Sequence, residues 1–310
     1  MRLKNTCKLA VVGVSLLAML TGCSSTGGDD SSTASGDSST ANDAGDNTAM
    51  SGTISVISRE EGSGTRSAFI ELFGIEEEDA SGEKVDNTTE EAVTTNNTAA
   101  MITNVSGNPN AIGYVSLGSL NDTVKAVKID GNEATAENVK AGTYKVSRPF
   151  NIVTKTDGVS ELAQDFINYI MSTDGQAIVE EEGYVPMDTT DKYSSNGATG
   201  TLTVGGSSSV APVMEKLAEA YEAVNTDADV QVTTTDSSTG VTSTIEGSYD
   251  IGMASRAVKD EEVSQGVTGT QIAIDGVAVI VNNENTMDNL TSDQVKNIFT
   301  GSVTDWSEVA

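Results

Sequence analysis

Histidine is absent from the 310 residues, and positive charge is scarce, with 17 Lys and Arg against 46 Asp and Glu. The first absence excludes Ser-His-Asp catalysis and His-ligated metal sites. The second argues against nucleic acid as a partner, because phosphate backbones reward Lys and Arg. Cysteine occurs only at Cys7 and Cys23. Aromatic residues make up 4% of the chain, which leaves its cores to Val, Ile, Ala and Leu. No G-x-x-x-x-G-K-[ST] run is available for a nucleotide, and no short repeat is present. Carboxylates are plentiful enough for acid–base work, but no pair stands out. The chain is expected to be no enzyme and to need no metal or cofactor.

The N-terminal stretch has three basic residues (Arg2, Lys4, Lys8), an apolar run from Leu9 to Leu20, and then Leu20-Thr21-Gly22-Cys23. The run is short for a membrane span, and residues 1–23 read as a secretory leader. The L-T-G-C tetrad resembles the lipobox of bacterial lipoproteins, in which the cysteine carries the lipid. The alternative is a free thiol after an ordinary leader. Loss of the leader removes Cys7, so no disulfide can form within the remaining chain. Residues 24–50 are almost all Ser, Thr, Gly, Asp, Asn and Ala, too polar to fold, and read as a tether reaching about 30 Å.

From Ser51 onward strand-like runs alternate with helical patterns. Strands are expected at 54–58, 111–117, 124–129, 150–155, 201–206, 230–235, 250–255 and 273–282, and helices at about 66–73, 161–171 and 213–224. The alternation predicts an α/β protein with largely parallel sheets. Thr291 and Gln294 stand at capping-box spacing before a further helix. The polar stretch 191–200 reads as a joint between two blocks.

Three Ser/Thr/Gly loops, 60–66, 205–212 and 235–241, stand between a strand and a helix. Helix N-termini carry unpaired N–H groups and the positive dipole end, so such loops can hold a tetrahedral oxyanion with backbone donors and short hydroxyls. Each loop taken alone is also what an ordinary N-cap looks like. Arg59 beside the first loop adds a cation for the anion, or else an ion-pair partner for Glu60 or Glu61. Arg148 and Arg256 are open to the same two readings. The many carboxylates elsewhere would be screened over about 10 Å.

Together the stretches ISREEGSGTRSAF, NPNAIGYVSLGSL, GQAIVEEEGYVPM, GGSSSVAPVMEKLAEAY, YDIGMASR, IAIDGVAVIVN and LTSDQVKNIFTGSVTDWSEV resemble the phosphate-binding lipoprotein of the bacterial phosphate-specific ABC transporter. That family has the type II solute-binding fold, two α/β lobes with a mostly parallel sheet in each and a hinge between them. The resemblance covers nearly all of 51–310, but the order differs. In the usual arrangement GSSSV comes first and WSEV runs on into REEGSGTR, so this chain resembles a circular permutation, with the former termini joined through 191–200. The alternative is a piece of a tandem or misassembled gene. The resemblance assigns 51–147 with 284–310 to one lobe and 148–283 to the other, with crossings near Arg148 and Asn283.

Carried over residue by residue, it places phosphate ligands on Ser208, Ser209, Ser238, Arg59, Ser63, Gly64 and Thr65, with Glu61 orienting Arg59. Where a well-known branch of the family has an Asp that accepts the phosphate proton, this chain has Arg256. Asp236, Asp250 and Glu61 are then the candidate acceptors. The function implied is capture of inorganic phosphate outside the cytoplasm by a monomer anchored at Cys23, and its delivery to an ABC permease. Sulfate, molybdate or tungstate receptors, or a surface sensor or adhesin, are the alternatives.

Overall fold

The computed structural model describes residues 50–309, so the leader, Cys23 and nearly all of the tether lie outside the described residues. The chain first runs through β1 (Ser55–Arg59), α1 (Gly64–Leu72), the hairpin β2 (Glu76–Glu78) and β3 (Lys84–Asp86), β4 (Val93–Thr95), α2 (Thr98–Ser106) and β5 (Ala111–Ser116). Short β6 (Val124–Ala126), β7 (Lys128–Ile129) and α3 (Ala136–Lys140) follow. Crossing on β8 (Ser147–Lys155), it builds α4 (Glu161–Ile170), α5 (Thr173–Glu181), β9 (Val185–Pro186), β10 (Gly200–Ser207), α6 (Ala211–Val224), β11 (Ala228–Thr235), α7 (Ser237–Glu246), β12 (Ile251–Ala254) and α8 (Asp260–Val263). It returns on β13 (Val267–Asn282) and ends with β14 (Asn289–Leu290) and α9 (Ser292–Phe299). Among the described residues no helix is long and apolar enough to cross a membrane.

Eight of the strands form one ladder in the order β11-β10-β12-β8-β13-β5-β1-β4, with β6 and β9 added on β13, while β2 with β3 and β7 with β14 pair apart. Each end is parallel as expected, β10 between β11 and β12, and β1 between β5 and β4, while β8 and β13 run antiparallel in the middle. Val267–Gly276 of β13 pairs with β8, and Val277–Val281 pairs with β5. The strand therefore changes partners at mid-length, and two cores sit on either side of the change. One gathers Phe69, Tyr114, Phe299 and Trp306 with Val277–Val281. The other gathers Phe150, Phe166, Leu217 and Tyr221 with Ile272 and Ala273. This moves the second crossing from the expected Asn283 to between Ala273 and Val277, because the run 277–281 is buried in the first core. The expected strand 124–129 is also two, since β6 pairs with β13 and β7 turns away to β14.

Helix α6 forms where apolar residues recur with helical spacing. Val213, Met214, Leu217, Ala218 and Tyr221 are its buried stripe. In α9 the reciprocal Thr291/Gln294 box closes the N-terminus. The two ends of the described chain meet: Ile54 N–H donates to Thr304 O (2.8 Å), Trp306 N–H to Gly52 O (3.0 Å), and Thr53 bridges Asp305. The 191–200 joint is tied down by Asp165 on α4, fully buried, which accepts from Tyr193 Oη (2.7 Å), Tyr221 Oη (2.9 Å) and Asn196 N (3.1 Å).

Asp165→Ala strands two tyrosine hydroxyls without their charged acceptor. It is expected to destabilise the fold by about 3 kcal/mol in urea unfolding.

Candidate functional site

At the C-terminal end of β1, Arg59 is 3% exposed, and its guanidinium is filled from three directions. Nε and Nη2 donate to the Glu60 carboxylate at 2.7 and 2.6 Å, Nη1 to Thr98 Oγ1 at 3.4 Å, and Nη2 to Ser208 Oγ at 3.1 Å. The expected partner, Glu61, is exposed, and its neighbour Glu60 holds the arginine instead. The end of β1 is itself fixed. Tyr114, stacked on Phe69 at 3.9 Å, accepts from Arg59 N at 3.0 Å, and Arg66 Nη1 donates to the Arg59 carbonyl at 2.7 Å. Arg66 also pairs with Asp86 and so buttresses the site without entering it.

Hydroxyls from both lobes converge on this guanidinium. Thr65 Oγ1 is 2.8 Å from Ser209 Oγ, and Thr98 Oγ1 is 3.2 Å from Ser208 Oγ and 3.4 Å from Ser209 Oγ. These residues open α1, α2 and the turn before α6, so the axes of three helices point their N-termini at one place. The α6 terminus has no side-chain cap, which leaves its N–H groups for another acceptor. Ser63 is buried as the α1 N-cap, its Oγ accepting from Arg66 N at 3.3 Å.

Gly64 and Gly62 set how closely the lobes approach. A Cβ at Gly64 would collide with the Ser237 and Ser255 hydroxyls, and one at Gly62 with the Asp236 carboxylate. Ser238 N–H donates across the gap to Gly62 O at 3.2 Å. Behind this contact Ser207, Ser237 and Ser255 form a buried hydroxyl network (2.9 and 3.3 Å). A cavity of about 580 Å³ opens beside the cluster, lined by Glu60, Asn97 and Thr98 of one lobe and Ser208, Thr235 and Asp236 of the other.

Of the candidate carboxylates, Asp236 is at the cleft but committed as the α7 N-cap, accepting from Thr239 N (2.9 Å) and Thr239 Oγ1 (2.6 Å). Asp250 is exposed and ties β12 to β10 through Thr203 N (2.8 Å). It lies five residues before Ser255, about 16 Å along the strand, too far to touch an anion in the cluster. Arg256 is 6% exposed, doubly bound to Glu262 (2.7 and 2.9 Å), and 3.4 Å from Ser238 Oγ. Burial works to raise the Glu262 carboxyl, but donors from Arg256 and Lys259 N outweigh it and hold the group below its ordinary value.

Thr98 was not expected here, and Glu60 was expected only as one of two possible ion-pair partners of Arg59. The stretch TTNNTAA has the same strand-to-helix hydroxyl signature as the other loops, with Asn97 as N-cap, so Thr98 had a visible signal. The choice of Glu60 over Glu61 depends on which side chain turns inward, and adjacent identical residues do not encode that. Among the described residues, no cluster of three His, Cys, Asp or Glu side chains could hold a metal ion.

The family model described as a PBP superfamily domain matches residues 37–174 and 191–310. A phosphate-binding protein PstS 2 of Streptococcus agalactiae is 52% identical over 302 residues, 97% of both chains. The chain belongs to the PstS family of the PBP superfamily. A PstS 2 of Streptococcus pneumoniae is 45% identical over 84% of this chain and 89% of its own. A crystal structure of a phosphate ABC transporter phosphate-binding protein from S. pneumoniae superposes with a TM-score of 0.66 at 44% identity. It covers 84% of this chain and all of that one.

Within this PstS fold, Glu60→Ala removes the counter-ion of a buried guanidinium and is expected to cost about 2 kcal/mol in urea unfolding, allowing for the partial exposure of Glu60. Glu61→Ala should change stability by less than about 0.5 kcal/mol.

Proposed function

We propose that this protein is an extracytoplasmic receptor that closes two lobes around inorganic phosphate and passes it to the permease of an ABC transporter. The observation that carries the reading is the convergence of Arg59, Thr65 and Thr98 from one lobe with Ser208 and Ser209 from the other. Tetrahedral oxyanions need several donors in a small volume, and charge-assisted hydrogen bonds in a closed site supply affinity. The names of the streptococcal relatives favour phosphate among such anions. Ser63, Gly64 and Ser238 complete the proposed ligand set through α1 and α7. Since Asp236 and Arg256 already have partners, they act as supports that position Thr239 and Ser238. Lobe closure holds the anion and reopening releases it, and no bond in the anion is made or broken.

The leader and L-T-G-C tetrad support a lipid anchor at Cys23, which would keep the receptor on the outer face of the cell membrane as a monomer. The paired ends at Gly52 and Trp306 support a permuted order, because they bring WSEV and ISREEGSGTR together in space as the usual order does in sequence. Linking Val309 to Gly52 through a short flexible segment and opening the exposed 191–200 joint at Gly197 should then give a folded protein in the usual order. A chain that fails to fold after this exchange, judged by circular dichroism, would count against the permutation.

Calorimetric titration of residues 51–310 with phosphate and with sulfate tests the main reading. Phosphate is expected to bind and sulfate to bind far more weakly. Equal binding of the two would make the protein a general oxyanion receptor, and no binding of either would remove the transport role. Arg59→Ala is expected to weaken phosphate binding by about 2–5 kcal/mol, or about 30-fold to several-thousand-fold. An unchanged affinity would take Arg59 out of the site.

A further inference from the structure

Beneath the hydroxyl cluster, where the strands cross between lobes, lies a second buried ion pair that anion capture as described does not use. Arg148 on β8 and Asp275 on β13 face each other in register and are 3% and 0% exposed. Asp275 Oδ2 accepts from Arg148 Nε at 3.1 Å and Nη2 at 3.0 Å. Its Oδ1 accepts from Ser116 Oγ at 2.9 Å and Leu117 N at 3.1 Å, at the end of β5. One carboxylate thus binds the first lobe and the crossing strand together, next to the point where β13 changes partners.

The remaining arm of Arg148 points toward the site. Nη1 donates to Ser255 O at 3.1 Å, Ser255 N donates to Ser237 Oγ at 3.0 Å, and Ser255 Oγ accepts from Ser207 Oγ. Ser255 is also a residue that a Cβ at Gly64 would strike, so the hinge arginine is one residue removed from the lobe contact. Its charge and that of Arg59 lie close enough to repel. The other titratable groups facing Asp275 are Tyr144, ahead of β8, and Tyr184, ahead of β9. Burial pushes both phenols up, out of the physiological range.

We propose that Asp275 is the proton-binding residue of the hinge: when an oxyanion is enclosed, this carboxylate takes up a proton from solvent, leaving the Arg148 charge uncompensated beneath the anion and favouring the closed lobes. This rests on the oxyanion reading of the site. The step converts a carboxylate and a solvent proton into a carboxylic acid, breaks no other covalent bond, and displaces one of the four donors that Asp275 accepts. Burial pushes the Asp275 carboxyl up to about 6, against the opposing pull of Arg148, Ser116 and Leu117 N. Its neutral form therefore favours the folded state fully below the unfolded midpoint near 3.8, an advantage lost as pH rises through about 6. An anion nearby raises proton affinity, and by reciprocity the proton raises anion affinity. Well above the midpoint Asp275 is ionised with or without the anion, and the coupling vanishes. If anion binding moves the midpoint by about half a pH unit, affinity gains about threefold as pH falls through it.

Calorimetry of the full chain with inorganic phosphate, from about pH 5 to pH 8 in buffers of different ionisation enthalpy, counts the protons taken up on binding. Phosphate titrates in this range itself, so the quantity read is the difference between the unmutated protein and Asp275→Asn. The unmutated protein is expected to take up more protons near pH 6 and to gain about threefold more affinity than the variant on acidification. Ser116→Ala removes one donor to Oδ1 but keeps the ion pair, and it should move the extra uptake to higher pH. If Asp275→Asn does not fold, the presence or absence of that shift decides. Identical proton numbers and pH profiles overturn the proposal. Failure of every protein, unmutated included, to bind phosphate overturns the reading of the site instead.

Discussion

The constraint on the proposed site is that it places an anion in a chain with a large excess of carboxylates. The three arginines around the cleft each carry their own carboxylate: Arg59 with Glu60, Arg148 with Asp275, Arg256 with Glu262. Local formal charge is therefore balanced, so on the proposed reading oriented dipoles must add to what the Arg59 guanidinium supplies. Helix N-termini, uncommitted N–H groups and serine and threonine hydroxyls supply them. The carboxylates also orient the guanidinium planes, so that the edge of Arg59 left by Glu60 faces Thr98 and Ser208. Such a site tolerates an acidic surface because its donors are buried and close, while the surface carboxylates are distant and screened.

A site divided between lobes works only if the lobes can approach without steric conflict. Gly62 and Gly64 remove the side chains that would meet Asp236, Ser237 and Ser255. The lobes also share β13, whose two halves pair with β8 and with β5 and pack into different cores. The lobe closure proposed above would be a rotation about this crossing that changes the distance between Thr65 and Ser209 while each core stays packed.

Much of this was legible in the sequence, and the limits have physical causes. Strand-to-helix loops rich in Ser, Thr and Gly announced the helix N-termini at 60–66, 205–212 and 235–241, because capping and anion binding use the same groups. The amphipathic stripe of α6 and the Thr291/Gln294 box were equally visible, since both depend on fixed helical spacing. The partner change inside β13 was hidden, because the apolar run 277–281 looks alike whichever core it fills. Asp250 was misplaced as a site candidate because sequence proximity to Ser255 and Arg256 does not show that a strand carries it to the other end of the sheet. Glu60 and Glu61 could be told apart only by the direction each side chain takes.

The continuous ladder from β11 to β4 bears on how the molecule comes apart. Two lobes joined only by flexible connections would melt as separate cooperative units, and the more fragile one would go first. Here a single sixteen-residue strand contributes buried side chains to both cores. Loss of either core removes ladder hydrogen bonds and packing from the strand that supports the other. The two cores are thermodynamically bound together through one strand, so heat should find one transition where two cores suggest two.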